Sequence, residues 1–295
     1  MLIGVDLGAT YMRIGRCEGG LVCDLKVIPS SAYNMPDGAE HLADNISEYC
    51  AGLKRPPAAI GIGVPGTVSL RGELVRLPNL PYLNGTRLSA MIEERCHVPC
   101  FVENDVTMLL TGDSERMGLG KGVVFGLYIG SGLGGAVFSD GRLLRGRNGL
   151  CEPGHIPVFG RSEPCGCGKK GCAEAIVSGR ALEALQAAKY PKTHISELFT
   201  VMTEAELDDF TSVLAHTLAA VTQLLDPDVI VIGGGVAAMK GFPRVALETQ
   251  LKALCMRPIP ANTLNIVYSA DAEDKAGSPG VFGAAVFAAR KLGKI

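Results

Sequence analysis

Two glycine-rich turns, one in each half of the chain, constrain the fold most strongly. The first apolar run covers residues 2–5, turns over residues 6–10 (Asp-Leu-Gly-Ala-Thr) and returns over residues 12–15. The second run covers residues 123–129 and turns over Gly130-Ser131-Gly132-Leu133-Gly134-Gly135. A short apolar run, a glycine turn and a returning run are typical of a β-hairpin, so each half is expected to open with one.

Strand patterns that alternate with amphipathic helix patterns follow each hairpin, which indicates an internal duplication of one α/β unit. At ~150 residues per domain, 295 residues predict two domains. Their predicted bounds are 1–112 plus 279–295 for the N-terminal domain and 113–278 for the C-terminal one. Ligands are expected in the cleft between two such units. Strands are predicted at 58–64, 98–102 and 229–232, and helices at 38–54, 87–96, 106–117, 178–189, 204–225 and 281–292.

Composition and charge exclude several classes of protein. The chain is 47% hydrophobic and 20% charged, so it can bury a large core and is not disordered. Its net charge of −2 gives no electrostatic reason to expect nucleic acid or an anionic membrane as partner. It shows neither a signal-peptide pattern at the start nor an apolar stretch of ~18 residues, which predicts a cytoplasmic protein.

Three of the ten cysteines form the pattern Cys165-x-Cys167-x4-Cys172, and His155 precedes it in a segment without periodicity. Three thiolates and one imidazole complete a tetrahedral Zn²⁺ shell. Because four protein ligands leave no open coordination position, such a zinc ion is structural. Redox chemistry is the alternative for these thiols, but the irregular loop and the histidine favour a metal.

The glycine turns are candidate phosphate sites, because backbone N–H groups can approach phosphate oxygens closely there. Asp6 could hold the water shell of Mg²⁺. An ordinary hairpin turn is the alternative for either turn taken alone. The glycine run at 233–235 follows strand 229–232 and is predicted to precede a helix. It could accommodate a nucleotide base and ribose, or be a tight strand-to-helix turn. The candidate ATP-binding residues are Asp6, Gly8, Ala9, Thr10, Gly130, Ser131, Gly132, Gly134, Gly234 and Gly235.

Asn104 and Asp105 stand where a predicted strand enters a predicted helix. A carboxylate there could accept the proton of an attacking hydroxyl group during phosphoryl transfer. Spacing alone favours a helix N-cap instead. Asn79, Glu152 and Glu174 could hydrogen-bond to sugar hydroxyls, although taken individually they are typical surface residues.

Taken together, these motifs resemble the ROK family (repressors, open reading frames, kinases), from Asp6 to the last predicted helix. The residues from Glu152 to His155 are similar to the family's Glu-x-Gly-His motif. The stretch from Cys165 to Glu174 is similar to its Cys-x-Cys-Gly-x-x-Gly-Cys-x-Glu motif. The resemblance implies an actin-like ATPase (ribonuclease H-like) fold, with two α/β lobes around a nucleotide and sugar cleft. It further implies ATP- and Mg²⁺-dependent phosphorylation of a hexose at the 6-hydroxyl, and a homodimer.

The resemblance also implies roles for particular residues. Asp105 would be the catalytic base, and His155 would use one ring nitrogen for zinc and the other for sugar. Ala9 and Tyr11 depart from the family's opening motif, which has Gly and Lys there. The implied sugar-binding residues are Gly66, Asn79, Asn104, Asp105, Glu152, His155 and Glu174.

The motifs identify the sugar substrate less clearly than they identify the family. Pro78-Asn79-Leu80-Pro81 and Gly154-His155-Ile156-Pro157 are similar to the D-allose kinases of the family, which makes D-allose the leading substrate. The stretch 174–180 is more similar to N-acetylmannosamine kinases, and glucose and fructose are further alternatives. Outside the kinases, a sugar-sensing regulator or a protein that only binds sugar is the competing class. The presence of Asp6 and Asp105, and the absence of a basic patch, favour the kinase.

Overall fold

The computed structural model describes residues 1–147, 151–271 and 277–294. The chain forms two compact units. The first unit contains Met1–Gly120, Arg145–Leu150 and Glu273–Ile295, and the second contains Lys121–Leu144 and Cys151–Ala272. The first boundary lies at residue 120, not at the predicted 112, because a helix continues to Met117. None of the helices in the described ranges is both long and apolar enough to span a bilayer.

The first unit is built on a five-stranded sheet in the order β3-β2-β1-β4-β7. The first three strands are antiparallel, whereas β4 and β7 run parallel to β1. A two-stranded ribbon of β5 and β6 lies between β4 and β7 in the chain. The strands are β1 (Leu2–Leu7), β2 (Tyr11–Glu18), β3 (Leu21–Pro29), β4 (Ile60–Val64), β5 (Thr67–Val68), β6 (Leu74–Arg76) and β7 (Cys100–Asn104).

The second unit repeats this connectivity in a sheet with the order β10-β9-β8-β11-β12. An antiparallel hairpin again leads into parallel neighbours, here β11 and β12. The matching strand order confirms the predicted duplication of one α/β unit. The strands are β8 (Val123–Ile129), β9 (Leu133–Ser139), β10 (Arg142–Leu143), β11 (Val229–Gly233) and β12 (Ile266–Tyr268).

The predicted helices are confirmed to within a few residues. The longest begins at its predicted residue because Thr203 and Glu206 form a capping box. The helix predicted directly after the glycine run at 233–235 is wrong. Gly234 has a φ of 91°, and turns follow until Arg244. The helices are α1 (Gly38–Ala51), α2 (Leu88–Cys96), α3 (Asp105–Met117), α4 (Glu174–Val177), α5 (Gly179–Lys189), α6 (Glu204–Leu225), α7 (Arg244–Leu254) and α8 (Pro279–Lys291).

Helix α8 packs backbone against backbone in the first unit. Alternate residues of β1 point into the core shared with α1 and α2, and Gly4 lies on the opposite face. A Cβ atom on Gly4 would lie 1.9 Å from the carbonyl oxygen of Val281. A Cβ atom on Gly283 would lie 1.9 Å from the carbonyl oxygen of Met108 in α3. Glycine therefore lets α8 approach β1 and α3 more closely than any other residue would allow.

Gly283→Ala tests this packing. The added methyl group must push α8 away from α3, so we expect the free energy of unfolding to fall by about 1–3 kcal/mol. Gly120→Ala is the matched control, since no atom of the described residues lies within 4 Å of a Cβ there. Urea unfolding of both variants measures the difference. Equal stabilities for the two variants would contradict the close approach of α8.

Candidate functional site

Polar residues of the first unit lie at the carboxyl ends of its parallel strands. Asp6 of β1 is paired with Gly63 of β4, and Gly63 is paired with Glu103 of β7. Asn104 ends β7, and Asp105 begins α3. Ligands of open α/β sheets bind at this edge, outside the carboxyl ends of the strands. The predicted magnesium residue and the predicted base are therefore on the same edge of one sheet.

Asn104 is both a helix cap and a connection between loops. Its side-chain oxygen accepts hydrogen bonds from the N–H groups of Val106 (2.9 Å) and Thr107 (3.3 Å). Its amide nitrogen donates to the carbonyl oxygen of Gly66, at 3.0 Å. The side chain of Asp105 accepts a hydrogen bond from Val106, also at 2.9 Å. The Asp105 carboxylate thus lies at the N-terminus of α3, where the helix dipole stabilises negative charge.

The first glycine turn holds a partly buried carboxyl group, that of Asp6. Burial raises the pKa of Asp6, and the Arg13 guanidinium, 3.6 Å away, acts in the opposite direction. A Cβ atom on Gly280 would lie 2.6 Å from the Asp6 carboxyl carbon, so the start of α8 packs directly on this group. The N–H of Gly8 donates to the carbonyl oxygen of Tyr11 at 3.0 Å and closes the turn.

One pocket of about 340 Å³ lies against this turn. It brings together Ala9 and Thr10, which were predicted for phosphate, and Asn79, which was predicted for sugar. Sequence reasoning missed Ser31 and Asn34, because the short turn after β3 carries no recognisable motif. None of the lining residues is charged. They are Ala9, Thr10, Tyr11, Pro29, Ser31, Asn34, Asn79 and Leu80.

In the second unit, Glu174 contacts the predicted phosphate turn. Its Oε2 atom accepts a hydrogen bond from the N–H of Leu133 at 2.9 Å. A Cβ atom on Gly132 would lie 2.5 Å from the same oxygen, so a side chain at this position would displace the carboxylate. The carbonyl oxygen of Gly130 accepts a hydrogen bond from Gly179 at 2.7 Å. The starts of α4 and α5 therefore fix the turn between β8 and β9.

The glycine run at 233–235 lies beside the turn between β8 and β9, because β11 is a parallel neighbour of β8. A Cβ atom on Gly234 would lie 2.4 Å from the carbonyl oxygen of Ile129, the last residue of β8. Within the described part of the chain, no atom lies within 4 Å of a Cβ on Gly235. Ser131 is exposed at the tip of the hairpin, and Gly134 lies within β9. The predicted nucleotide residues of this unit are thus neighbours at one sheet edge.

The four predicted zinc ligands converge. Their ligand atoms all lie within 4.8 Å of one another. The Nδ1 atom of His155 is 3.6 Å from the Cys165 sulfur, and the sulfurs of Cys167 and Cys172 are 3.7 Å apart. Zinc bonds of ~2.3 Å to sulfur and ~2.0 Å to nitrogen give tetrahedral edges of about 3.5 to 3.8 Å. Both distances are close to these edges, so the cluster can hold a zinc ion.

The environment of the thiols explains why a cation would be needed. Burial raises the pKa of the Cys172 thiol to about 12. The backbone N–H of Lys169 lowers the pKa of Cys167. A metal ion is the common way to hold several such thiols as thiolates together. Cys165 also lies 3.9 Å from Oε1 of Glu174, which connects the ligand cluster to the β8–β9 turn.

The loop that carries the motif from Glu152 to His155 packs on the β8–β9 hairpin. Gly154 lies in a short 3₁₀ helix, Pro153–His155. A Cβ atom on Gly154 would lie 2.2 Å from the carbonyl oxygen of Leu133. Glu152 precedes this helix and is exposed. Gly154, the neighbour of His155, and Glu174 therefore both contact Leu133, the first residue of β9.

The chain matches the model of the ROK family over residues 2–291. It belongs to this family. The match confirms the predicted actin-like ATPase fold, and the prediction of a sugar-kinase phosphotransferase is confirmed at the level of the family. Glucokinase from Thermotoga maritima is 28% identical, with 99% of this chain and 98% of the relative covered. N-acetyl-D-glucosamine kinase from Erwinia tasmaniensis is 29% identical, with 80% and 84% covered.

A solved structure supports the same assignment. The ROK family glucokinase from Streptomyces griseus, in complex with glucose and AMPPNP, superposes with a TM-score of 0.77 at 26% identity. The alignment covers 98% of this chain and 99% of that one.

Substitutions at Asn104 separate its two sets of hydrogen bonds. Asn104→Ala removes the cap of α3 and the bond to Gly66, so we expect a loss of about 1–2 kcal/mol of stability. Asn104→Ser keeps a capping oxygen and loses only the bond to Gly66, so it should recover part of this loss. Urea unfolding of both variants measures the effect. A serine variant no more stable than the alanine variant would show that the cap contributes nothing.

Proposed function

We propose that this protein transfers the γ-phosphoryl group of ATP to the 6-hydroxyl of a hexose. The observation that carries the proposal is the pocket of the first unit. It is lined both by Thr10 of the candidate phosphate turn and by Asn79 of the candidate sugar set. Phosphoryl transfer requires donor and acceptor to be held side by side, and catalysis consists largely of this positioning.

Asp105 is proposed as the general base that accepts the proton of the sugar hydroxyl. Its carboxylate is pre-positioned by Val106 and by the α3 dipole. Asp6 would hold Mg²⁺ through its water shell, and the metal ion would neutralise charge on the transferred phosphoryl group. The N–H groups of the turn after Asp6, and those of the turn that starts at Gly130, are proposed to bind phosphate oxygens. Gly234 and Gly235 are proposed to lie against the nucleoside.

The sugar is proposed to contact Gly66, Asn79, Asn104, Asp105, Glu152, His155 and Glu174. A pocket without charged lining suits a neutral polyhydroxylated ligand, and Tyr11 adds an aromatic ring that can stack on a sugar face. D-allose remains the first substrate to test, on its motif resemblance. Glucose and N-acetylglucosamine join it, because they are the sugars in the names of the relatives. N-acetylmannosamine and fructose complete the panel. The homodimer is likewise a proposal, which light scattering tests.

A structural zinc ion is proposed on His155, Cys165, Cys167 and Cys172. The ion would fix the loop that carries Glu174. Since Nδ1 of His155 faces the thiols, its Nε2 atom is left for a sugar hydroxyl.

Asp105→Asn tests the kinase mechanism. Removal of a general base usually costs ~10²–10⁴ in rate, so kcat should fall by this factor while the protein stays folded. Release of ADP from Mg·ATP is measured with each sugar of the panel. The matched control is Asp44→Asn, an exposed carboxylate on α1 that pairs with Arg95, and it should keep wild-type turnover.

Two outcomes would contradict the proposal. Full turnover by Asp105→Asn would remove this residue from the mechanism. A folded wild-type protein that binds a sugar of the panel but phosphorylates none of them would instead support the binding-only class.

Cys172→Ser tests the zinc site. We expect the wild-type protein to contain about one zinc ion per chain and the variant to lose it, because three ligands bind zinc far more weakly than four. Elemental analysis by mass spectrometry gives the metal content. Cys255→Ser is the matched control, since Cys255 is also a buried free cysteine of the second unit. Wild-type protein that is fully active without zinc would overturn the assignment.

A further inference from the structure

A largely buried ion pair includes Glu103, which lies two residues before the proposed base. The side chain of Glu103 is 3% exposed and pairs with the guanidinium of Arg145, which is 23% exposed. Glu103 lies in β7 and directly precedes Asn104, the last residue of that strand. Arg145 begins the short stretch Arg145–Leu150 that belongs to the first unit, although the chain on either side of it belongs to the second. Sequence reasoning assigned no role to either residue.

The pair satisfies an electrostatic requirement. A buried carboxylate is costly unless it is paired and hydrogen-bonded. Burial lowers the pKa of Arg145, but an arginine side chain stays protonated at neutral pH, so Glu103 has a cation as its partner. The second oxygen of Glu103 accepts a hydrogen bond from the N–H of Asn104 at 2.9 Å. One carboxylate therefore binds both Arg145 and the backbone of the residue before Asp105.

We propose that the Glu103–Arg145 pair is a positioning device for Asp105. Arg145 orients Glu103, Glu103 holds the N–H of Asn104, and Asn104 caps the helix that Asp105 begins. Arg145 also cancels a negative charge two residues from the base. This inference rests on the proposed role of Asp105.

Three further carboxylates on the elements around β7 and α3 have partners of their own. Glu93 of α2 accepts the N–H of Cys100 at the far end of β7. Within α3, Asp113 pairs with Arg116. Glu115 of α3 pairs with Arg290 of α8 at 3.1 Å, and β6 carries the further cation Arg76. Arg145 is the partner that the structure gives to the Glu103 carboxylate.

The test is the pH dependence of kcat/KM for sugar in four variants. In Arg145→Met the negative charge of Glu103 is no longer compensated, and it disfavours the ionised form of Asp105. The acid limb of the kcat/KM profile should therefore move to higher pH, by roughly half a pH unit or more. Glu103→Gln leaves the positive charge of Arg145 without its partner, so the acid limb of this variant should move to lower pH. The double variant carries neither charge and should return towards wild type. Arg145→Lys keeps the charge and should keep the limb in place.

A purely structural role would not produce these opposite shifts. We also expect kcat of Arg145→Met at pH 7 to fall about tenfold with little change in KM for ATP, as for a defect at the reacting group. Arg147→Met, an exposed arginine of the same stretch, is the matched control and should behave as wild type. Thermal unfolding and zinc content show that each variant is folded. If Arg145→Met does not fold, Glu103→Gln and the double variant still carry the test.

Each outcome decides one point. An acid limb that stays at the wild-type pH in both single variants, in folded protein, would overturn the positioning role. Wild-type protein without kinase activity, or a fully active Asp105→Asn variant, would instead defeat the proposed function. An active wild type, an inactive Asp105→Asn variant and unshifted single variants would defeat the positioning role alone.

Discussion

The packing of α8 against the central strands and α3 is the interaction on which the first unit depends. A helix can lie this close to a sheet only where Cβ atoms are absent, and Gly4, Gly61 and Gly283 supply the three contacts with backbone carbonyl groups. The same helix starts on the Asp6 carboxyl group through Gly280. It also supports α3, whose first residue is Asp105. The position of the candidate base therefore depends on close backbone packing as well as on the polar contacts of Glu103 and Asn104.

In the second unit, the candidate site residues are held in place by side-chain contacts of a loop. Its irregular loop has no periodic apolar pattern, and it is held by contacts among His155, Cys165, Cys167 and Cys172 and by contacts with one hairpin. Glu174 lies at the centre of this arrangement, because one of its oxygens binds Leu133 and the other lies near Cys165. A displacement of Cys165 would therefore reach the β8–β9 turn through Glu174. The cysteine loop, the Glu174 carboxylate and the β8–β9 hairpin are therefore connected by direct contacts.

Local sequence signals predicted the elements well wherever burial was periodic or a cap was present. Helix α6 carries both signals, and its predicted bounds agree with the structure. Strand β3 was missed, because it is largely exposed and lacks a clear apolar alternation. The helix expected after Gly235 was wrong, since a glycine run indicates a turn but does not specify the next element of the chain. At Asn104 the N-cap interpretation was correct, and the same residue is also tied to Gly66.

The sequence by itself determined the duplicated α/β plan, the ROK motifs and the set of four candidate zinc ligands. These features are encoded locally, in periodicity, in capping residues and in the spacing of a few side chains. Only the tertiary structure decided which distant residues meet. Thr10 and Asn79 line one pocket, Glu174 binds the N–H of Leu133, and Glu103 pairs with Arg145. The members of each pair are separated by long stretches of chain, so strand order and helix packing bring them together, and no local pattern records that outcome.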